Sequence, residues 1–320
     1  MKKTIALTVI AILLIVIGGG IFIGGMSMAD WDFKKLSTSK YVNNVYEISD
    51  GFKDICVETD TAKVEIIPSQ TDKVSVECFE NEKSKHEVAV VEGVLTIKIS
   101  DQRKWYEKIG INFHTTKITI NIPSGEYGNL KVQASTGDIK TNSAFNFNSV
   151  DISTSTGSIK CLSSATESVT LKATTGSIYT ENVSAKNLSI SVSTGKVLIK
   201  NVNCSGDVNI KVSTGETEVI RVNCKNFYTS GTTGDIELYD VIATEKISVE
   251  RDTGDVEFER CDGAELFFET STGDVEGSLL TSKVFHYDTD TGRVNVPKTT
   301  TGGLCEIYTD TGDISITIRA

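Results

Sequence analysis

The sequence from Val208 to Val219, Val-Asn-Ile-Lys-Val-Ser-Thr-Gly-Glu-Thr-Glu-Val, contains the pattern that decides the fold. Apolar residues stand seven and five positions before Gly215, at Val208 and Ile210, and four positions after it, at Val219. This period of two on both sides of a Thr-Gly pair is the signature of β-strands and excludes an amphipathic helix. The stretch therefore predicts one strand–turn–strand unit.

The same unit recurs at intervals of 19 or 20 residues through the C-terminal part of the chain. A single unit cannot bury its apolar stripe, whereas stacked copies share one core and pair every strand with its neighbours. We therefore predict an all-β protein, a parallel β-solenoid of about ten rungs, where a rung is one turn of the chain around the axis. The turn glycines are Gly137, Gly157, Gly176, Gly195, Gly215, Gly234, Gly254, Gly273, Gly292 and Gly312.

The segment ahead of the repeats carries related but less regular patterns. Residues 55–66 fit the template with Ala62 at the glycine position, which predicts a degenerate first rung. Alternating apolar runs at 74–78, 88–90, 94–99 and 118–123 predict antiparallel strands that cap the N-terminal end. No such cap follows Ile316, so we expect the final rung to expose a strand edge. The predicted division is a membrane helix at 1–29, a linker at 30–46, a β cap with the degenerate rung at 47–128, and the repeat array at 129–320.

An apolar run spans residues 4–29, behind Lys2 and Lys3. About 20 apolar residues suffice to cross the hydrocarbon core, which is more than the core of a signal peptide needs. This length favours an uncleaved signal anchor, while the small residues Ser27 and Ala29 leave a cleaved signal open. With the two lysines inside, the positive-inside rule predicts a single-pass protein of the cell membrane whose C-terminal domain is extracellular.

Charge and composition exclude several classes of function. The formal net charge is −11, and residues 250–320 contain 6 Lys/Arg against 15 Asp/Glu, giving −9. Nucleic-acid binding is excluded because neutralising phosphates requires a basic surface. The 3 histidines are isolated, and rungs of nearly constant length leave no long catalytic loop in the array. We therefore predict that the protein is not an enzyme, with a polysaccharide-active β-helix enzyme as the outside alternative.

The motifs together suggest a family. A membrane anchor is followed by Val-Glu-Ile-Ile-Pro-Ser at 64–69, Ile-Thr-Ile-Asn-Ile-Pro at 118–123 and serial Thr-Gly-Asp-Ile units. The chain resembles the bacterial "putative adhesin" domain of unknown function, the LiaG-like group of β-strand-repeat proteins, over about residues 45–320. The resemblance implies a surface interaction or scaffold protein with an unidentified protein or glycan partner. An accessory sensor or regulator of envelope stress is the alternative that it implies.

Acidic residues at the turns form the first candidate site. Aspartate often follows the turn glycine, and a second acidic position lies two residues before it. Stacked carboxylates and turn carbonyls are the hard oxygen ligands that Ca²⁺ prefers, so weak Ca²⁺ binding is one interpretation. The other is that aspartate favours turns and faces solvent. The candidate residues are Asp252, Asp255, Asp274, Asp290, Asp310 and Asp313. We predict no other cofactor and no further metal site.

Two smaller candidate sites remain. Cys204 and Cys224 occupy the same repeat position in adjacent rungs, which allows either a disulfide or two free thiols. Trp105, Tyr106 and Phe113 concentrate in a stretch that breaks the alternation. These aromatic side chains either contact a sugar or membrane surface or cover the open end of the solenoid.

Overall fold

The Thr-Gly turns stack on one another in a computed structural model of the chain, which describes residues 2–28, 30–32, 40–101 and 114–319. Equivalent repeat positions pair in parallel: Val208 lies beside Leu188 in one neighbouring rung and beside Phe227 in the other. The prediction of an all-β parallel solenoid of about ten turns is confirmed.

The strands of the array follow the predicted units closely. They are β9 (Asn129–Thr136), β10 (Ile139–Lys140), β11 (Phe145–Thr156), β12 (Ile159–Cys161), β13 (Ser164–Thr175), β14 (Ile178–Glu181), β15 (Ser184–Ala185), β16 (Asn187–Thr194), β17 (Val197–Cys204), β18 (Asp207–Thr214), β19 (Thr217–Thr233), β20 (Ile236–Thr253), β21 (Val256–Cys261), β22 (Glu265–Thr272), β23 (Val275–Leu279), β24 (Lys283–Thr291), β25 (Val294–Asn295), β26 (Gly303–Thr311) and β27 (Ile314–Ile318). Their inward residues form one continuous buried core.

The turn glycines lie in a column that leaves no room for a side chain. Nine of the ten have a positive φ, from +116° at Gly234 to +157° at Gly312, and Gly292 is the exception. A Cβ placed on Gly215 would overlap the carbonyl oxygen of Gly195 in the adjacent rung. Glycine is therefore required both by the backbone conformation and by the close approach of successive turns.

Rungs in the middle of the array contain a third straight segment that the sequence pattern does not reveal. Six residues after the turn glycine, the chain turns through a left-handed residue such as Asn201 or Asp240. The residues that follow, such as Val222, pair in register with their equivalents in the next rung. The first segment precedes the glycine, the second follows it, and the third follows the left-handed corner.

The N-terminal end begins with the strands β1 (Tyr41–Ile48), β2 (Asp54–Thr59), β3 (Ala62–Pro68), β4 (Val74–Asn81), β5 (Ser84–Val91), β6 (Val94–Asp101), β7 (Thr116–Ile122) and β8 (Gly125–Glu126). Strands β2 and β3 pair in parallel with β9 and β10, so residues 55–66 lie directly beside the first Thr-Gly unit. Strands β1, β4 and β5 pair antiparallel, as predicted for a cap. Strands β6 and β7 differ, because each also pairs in parallel with β2 or β3 and so forms a further rung beneath the first.

The C-terminal end differs from the expected one. Strands β26 and β27 pair with β22 and β23 on one side and with β24 and β25 on the other. The last unit in the sequence is therefore inserted between the two units before it. The expectation that the last unit in the sequence ends the stack with an exposed edge is wrong, because β26 has strand partners on both sides and β24 with β25 ends the stack.

A single helix, α1 (Lys2–Met28), precedes the β structure. Its segment Leu7–Met28 is long and apolar enough to cross a membrane. The rest of the chain does not bury the most apolar part of this segment. The same length and composition also suit a signal sequence near the N-terminus.

Candidate interaction surface

The outer side of the second segments carries an acidic face in the distal half of the array, which is the half farthest from the cap. It is formed by the side chains one, three and five residues after the turn glycine, which share one side because side chains alternate along a strand. We define the acidic face as Glu216, Glu218, Asp235, Glu237, Asp255, Glu257, Glu259, Asp274, Glu276 and Asp313.

The turn aspartates of this face accept hydrogen bonds from the backbone of the next rung. The Oδ1 atom of Asp255 accepts a hydrogen bond from the backbone N–H of Asp274 at 2.8 Å, and that of Asp274 accepts one from Asp313 at 2.7 Å. Asp235 accepts the N–H of Asp255 at 3.0 Å. Each carboxylate therefore binds the next rung through one oxygen, and charge-assisted hydrogen bonds of this kind offset part of the repulsion in the column.

A second acidic column lies beside the first and was not identified from the sequence. Glu218, Glu237, Glu257 and Glu276 pair in register across four successive rungs. Burial and then the charges of Glu237, Asp255 and Glu276 raise the pKa of Glu257. The signal was present, because these residues stand two positions after the turn aspartates and must share their side of the strand.

Basic residues border the acidic face but do not interrupt it. Lys196 lies in the rung below and pairs with Glu216 at 3.3 Å and Glu218 at 3.0 Å. A hollow of about 370 Å³ near the distal end is lined by Tyr239, Glu257 and Arg319, among others. The face is therefore a broad anionic surface with one shallow depression.

The other predicted acidic position lies on a different side of the solenoid. Asp252, Asp290 and Asp310 stand on first segments and are exposed. The inserted unit places Asp310 next to Asp290, because β24 and β26 pair through Thr289 with Thr309 and Thr291 with Thr311. Among the described residues, the one group of three possible metal ligands lies elsewhere, at the cap. Weak Ca²⁺ binding by the acidic columns stays a prediction.

The cysteine and aromatic candidates have different outcomes. Cys204 and Cys224 directly follow the paired residues Asn203 and Asn223 of adjacent rungs, and both are buried free thiols in the structure. Burial raises the pKa of Cys204 to about 11 and that of Cys224 to about 12. The disulfide stays a prediction. Trp105, Tyr106 and Phe113 lie outside the described residues, in the connection between β6 and β7.

The cap contains a buried polar cluster that was not predicted. The carboxylate of Glu80 accepts hydrogen bonds from Asn44 Nδ2 at 2.6 Å and from the backbone N–H of His86 at 2.6 Å. His86 Nδ1 lies 2.7 Å from Glu80 Oε2, and Nε2 lies 2.9 Å from Thr59 Oγ1 on the first rung. Cys78 lies beside this pair.

The charge of Glu80 is retained in this cluster despite its burial. Burial alone would raise the pKa of Glu80, but the hydrogen bonds from His86 and Asn44 outweigh it and lower that pKa. The cluster fastens strands β1, β4 and β5 to the first rung through Thr59. The Thr59 hydroxyl, the His86 imidazole and the Glu80 carboxylate are arranged like a nucleophile, a base and the carboxylate that orients the base. Thr59 and His86 are, however, only 5% and 4% exposed. A role in anchoring the cap follows from that burial.

Comparison with known proteins identifies the family. A family model described as Toastrack DUF4097 matches residues 52–215 and again residues 203–320. These matches cover most of the chain. The chain belongs to the Toastrack DUF4097 family. The narrower LiaG-like assignment stays a prediction, and no curated protein matches this Toastrack chain.

Solved structures of similar fold include proteins from Parabacteroides and Bacteroides. A putative adhesin from Parabacteroides merdae has a TM-score of 0.51 at 13% identity and covers 75% of this Toastrack chain and 97% of its own. A putative adhesin from Bacteroides fragilis has a TM-score of 0.43 at 14% identity, with coverages of 88% and 99%. A putative lipid binding protein from Parabacteroides distasonis has a TM-score of 0.44 at 13% identity, with coverages of 86% and 96%. At these identities the first of them supports the fold alone.

Proposed function

We propose that this Toastrack protein is anchored in the cell membrane by α1 and acts outside the cytoplasm as a non-enzymatic surface interaction protein. The observation that carries the proposal is the acidic face, which continues across successive rungs of a rigid stack. A surface of this kind offers many equivalent contacts to one extended partner. The names of the structural neighbours, putative adhesins, agree with a role of this class.

The shape of the array supports binding rather than catalysis. Successive turn glycines from Gly137 to Gly273 stand 19 or 20 residues apart, so no long loop reaches over the acidic face. Binding and catalytic residues are usually carried on loops held by a rigid scaffold. Here the side chains of the strands themselves form the exposed surface, and the net charge of −9 in residues 250–320 favours a basic partner.

Crosslinking in intact cells tests this function. A photoreactive amino acid replaces Tyr239, which lies on the acidic face, and in a matched variant it replaces Tyr228, which lies on a first segment. We expect crosslinks to an external protein or glycan from position 239 and few from position 228. Crosslinks to cytoplasmic proteins, or equal yields from both positions, would contradict the proposal.

The orientation of the domain is tested separately. Ser205 is exposed in the array, so a Ser205→Cys variant offers a thiol for a membrane-impermeant maleimide. We expect labelling in intact cells without permeabilisation. Labelling only after permeabilisation would place the domain in the cytoplasm and refute an outward-facing protein.

A further inference from the structure

The distal end of the solenoid lacks the cover that the proximal end has. At the proximal end, β4 and β5 pair antiparallel with the terminal strands β7 and β6. At the distal end, the described residues provide β24 and β25 with pairing partners on one side only, β26 and β27. Unpaired strand edges of this kind are ready templates for another strand.

Apolar side chains that belong to the core are exposed at this end. Tyr287 of β24 is 49% exposed and Val294 of β25 is 38% exposed. Their partners one rung inside, Ile307 and Ile314, are completely buried. Core side chains are therefore exposed at the end of the stack, and one more strand would cover Tyr287.

The backbone of β24 has a free row of hydrogen-bonding groups. Gly312 N–H donates to the carbonyl of Thr291 and Ile314 N–H to that of Arg293, so both carbonyls point into the stack. N–H and C=O groups of successive strand residues point to opposite sides.

This alternation is interrupted two residues before the turn glycine, where Asp290 and Asp310 are skipped in the pairing of β24 with β26. In equivalent rungs the N–H eight residues before the glycine points to the rung on the proximal side, as at Asn129 and Asp207. The groups of His286 and Asp288 therefore pair with β26, whereas those of Phe285, Tyr287 and Thr289 point away from it and remain available to a further strand.

The negative charge at this end favours a positively charged partner. Asp288 and Asp290 follow Tyr287 on β24, and Asp310 and Asp313 lie in the adjacent unit. Arg293 is paired with Asp313 at 3.2 Å, and Lys283 of β24 is buried and paired with Asp262. A second copy of this chain would bring the same negative charge against this edge, whereas a basic segment would be attracted to it.

We propose that the open edge of β24 binds an extended, positively charged segment of a partner protein, which adds to the solenoid as one more strand. Side chains alternate along such a strand, so apolar residues would cover Tyr287 while lysine or arginine would lie beside Asp288 and Asp290. This mode of binding rests on the proposed surface function and specifies the partner that the distal end accepts.

Short peptides of defined pattern test this mode of binding. The probe is a fluorescent Lys-Val-Lys-Val-Lys-Val-Lys peptide, compared with the same peptide carrying Glu for Lys and with one carrying a central Pro. Fluorescence anisotropy is measured with the full chain in detergent micelles. We expect the lysine peptide alone to bind, and its affinity to fall with added salt.

A matched pair of variants separates strand addition from general attraction to the acidic surface. Tyr287→Pro removes an outward N–H that the solenoid does not use, and Tyr287→Val keeps that N–H with a side chain of similar size. We expect Tyr287→Pro to bind the lysine peptide about fivefold more weakly than Tyr287→Val, or worse. Both variants are compared with the wild type by thermal melting, because edge proline is tolerated in strands and the melting temperatures should agree.

Three results would overturn the proposal. They are equal binding by the two Tyr287 variants, equal binding of the lysine and glutamate peptides, and self-association of the chain that Tyr287→Pro abolishes. The last result would assign the edge to a second copy. Crosslinks from position 239 would survive each of these failures, so loss of the strand-addition proposal is distinguishable from loss of the surface function.

Discussion

The glycine column offers the sharpest test of how the rungs stack. In a Gly215→Ala variant, the alanine would have to adopt a φ of +138°, a region that side chains rarely occupy. Backbone strain of this kind costs about 1–3 kcal/mol. The new Cβ would also overlap the carbonyl carbon and oxygen of Gly195, and overpacking costs about 1–3 kcal/mol more. We therefore expect a loss of about 2–6 kcal/mol in the free energy of unfolding.

The assay is urea denaturation of the full chain in detergent micelles, followed by circular dichroism. Gly51→Ala is the matched control, because Gly51 has no positive φ and no heavy atom within 4 Å of a Cβ built there. We expect the control to remain within about 0.5 kcal/mol of the wild type. Since repeat arrays open locally, hydrogen exchange should also show the loss of protection centred on the rungs of Gly195, Gly215 and Gly234. Equal midpoints for the two variants would refute the direct stacking of these turns.

Three further predictions concern the polar and thiol groups. Because the pKa of Glu80 is lowered in the fold, its contribution to stability is present above about pH 4.5 and is lost as the pH falls through the folded pKa. Glu80→Gln should therefore be less stable at pH 7 by about 1–3 kcal/mol, and it should lose less stability below pH 4.5 in acid titrations; an unchanged acid profile would contradict this. Weak Ca²⁺ binding by the acidic columns predicts that millimolar Ca²⁺ raises the melting temperature and that Asp255→Asn abolishes the rise; an unchanged melting temperature would leave these aspartates as solvated turn residues. Cys204 and Cys224 should resist iodoacetamide at pH 8 in the folded chain and react after unfolding, as counted by mass spectrometry; failure to react after unfolding without reductant would demonstrate the disulfide.

The buried cap cluster and the open distal end give the solenoid a direction. Glu80, His86 and Thr59 fasten the cap to the first rung at one end, where the core is closed. At the other end, Tyr287 and Val294 leave the core accessible. A rod that is closed at the end nearest its helix in sequence and open at the other suits a protein that presents its distal end to a partner.

The repeat architecture could be predicted from the sequence because its causes are local and periodic. The alternation around each Thr-Gly pair determines which side chains face inward, and the 19- or 20-residue interval brings like residues into register. The column of acidic residues at the turns was predicted from the same 19- or 20-residue interval. The glutamate column from Glu218 to Glu276 was equally accessible to this reasoning, since it stands two residues farther along the same strands.

Tertiary structure alone decided the order in which the units stack and the contacts at the two ends. Gly292 and Gly312 are 20 residues apart whether the last unit follows its predecessor or inserts beneath it, so periodicity cannot distinguish the two. Insertion gives β26 and the start of β27 strand partners on both sides and transfers the exposed edge to β24. The Glu80–His86–Thr59 cluster likewise joins residues from three strands with no common spacing. Local patterns specify what each strand can bury, whereas the choice of neighbour depends on the free energy of the whole stack.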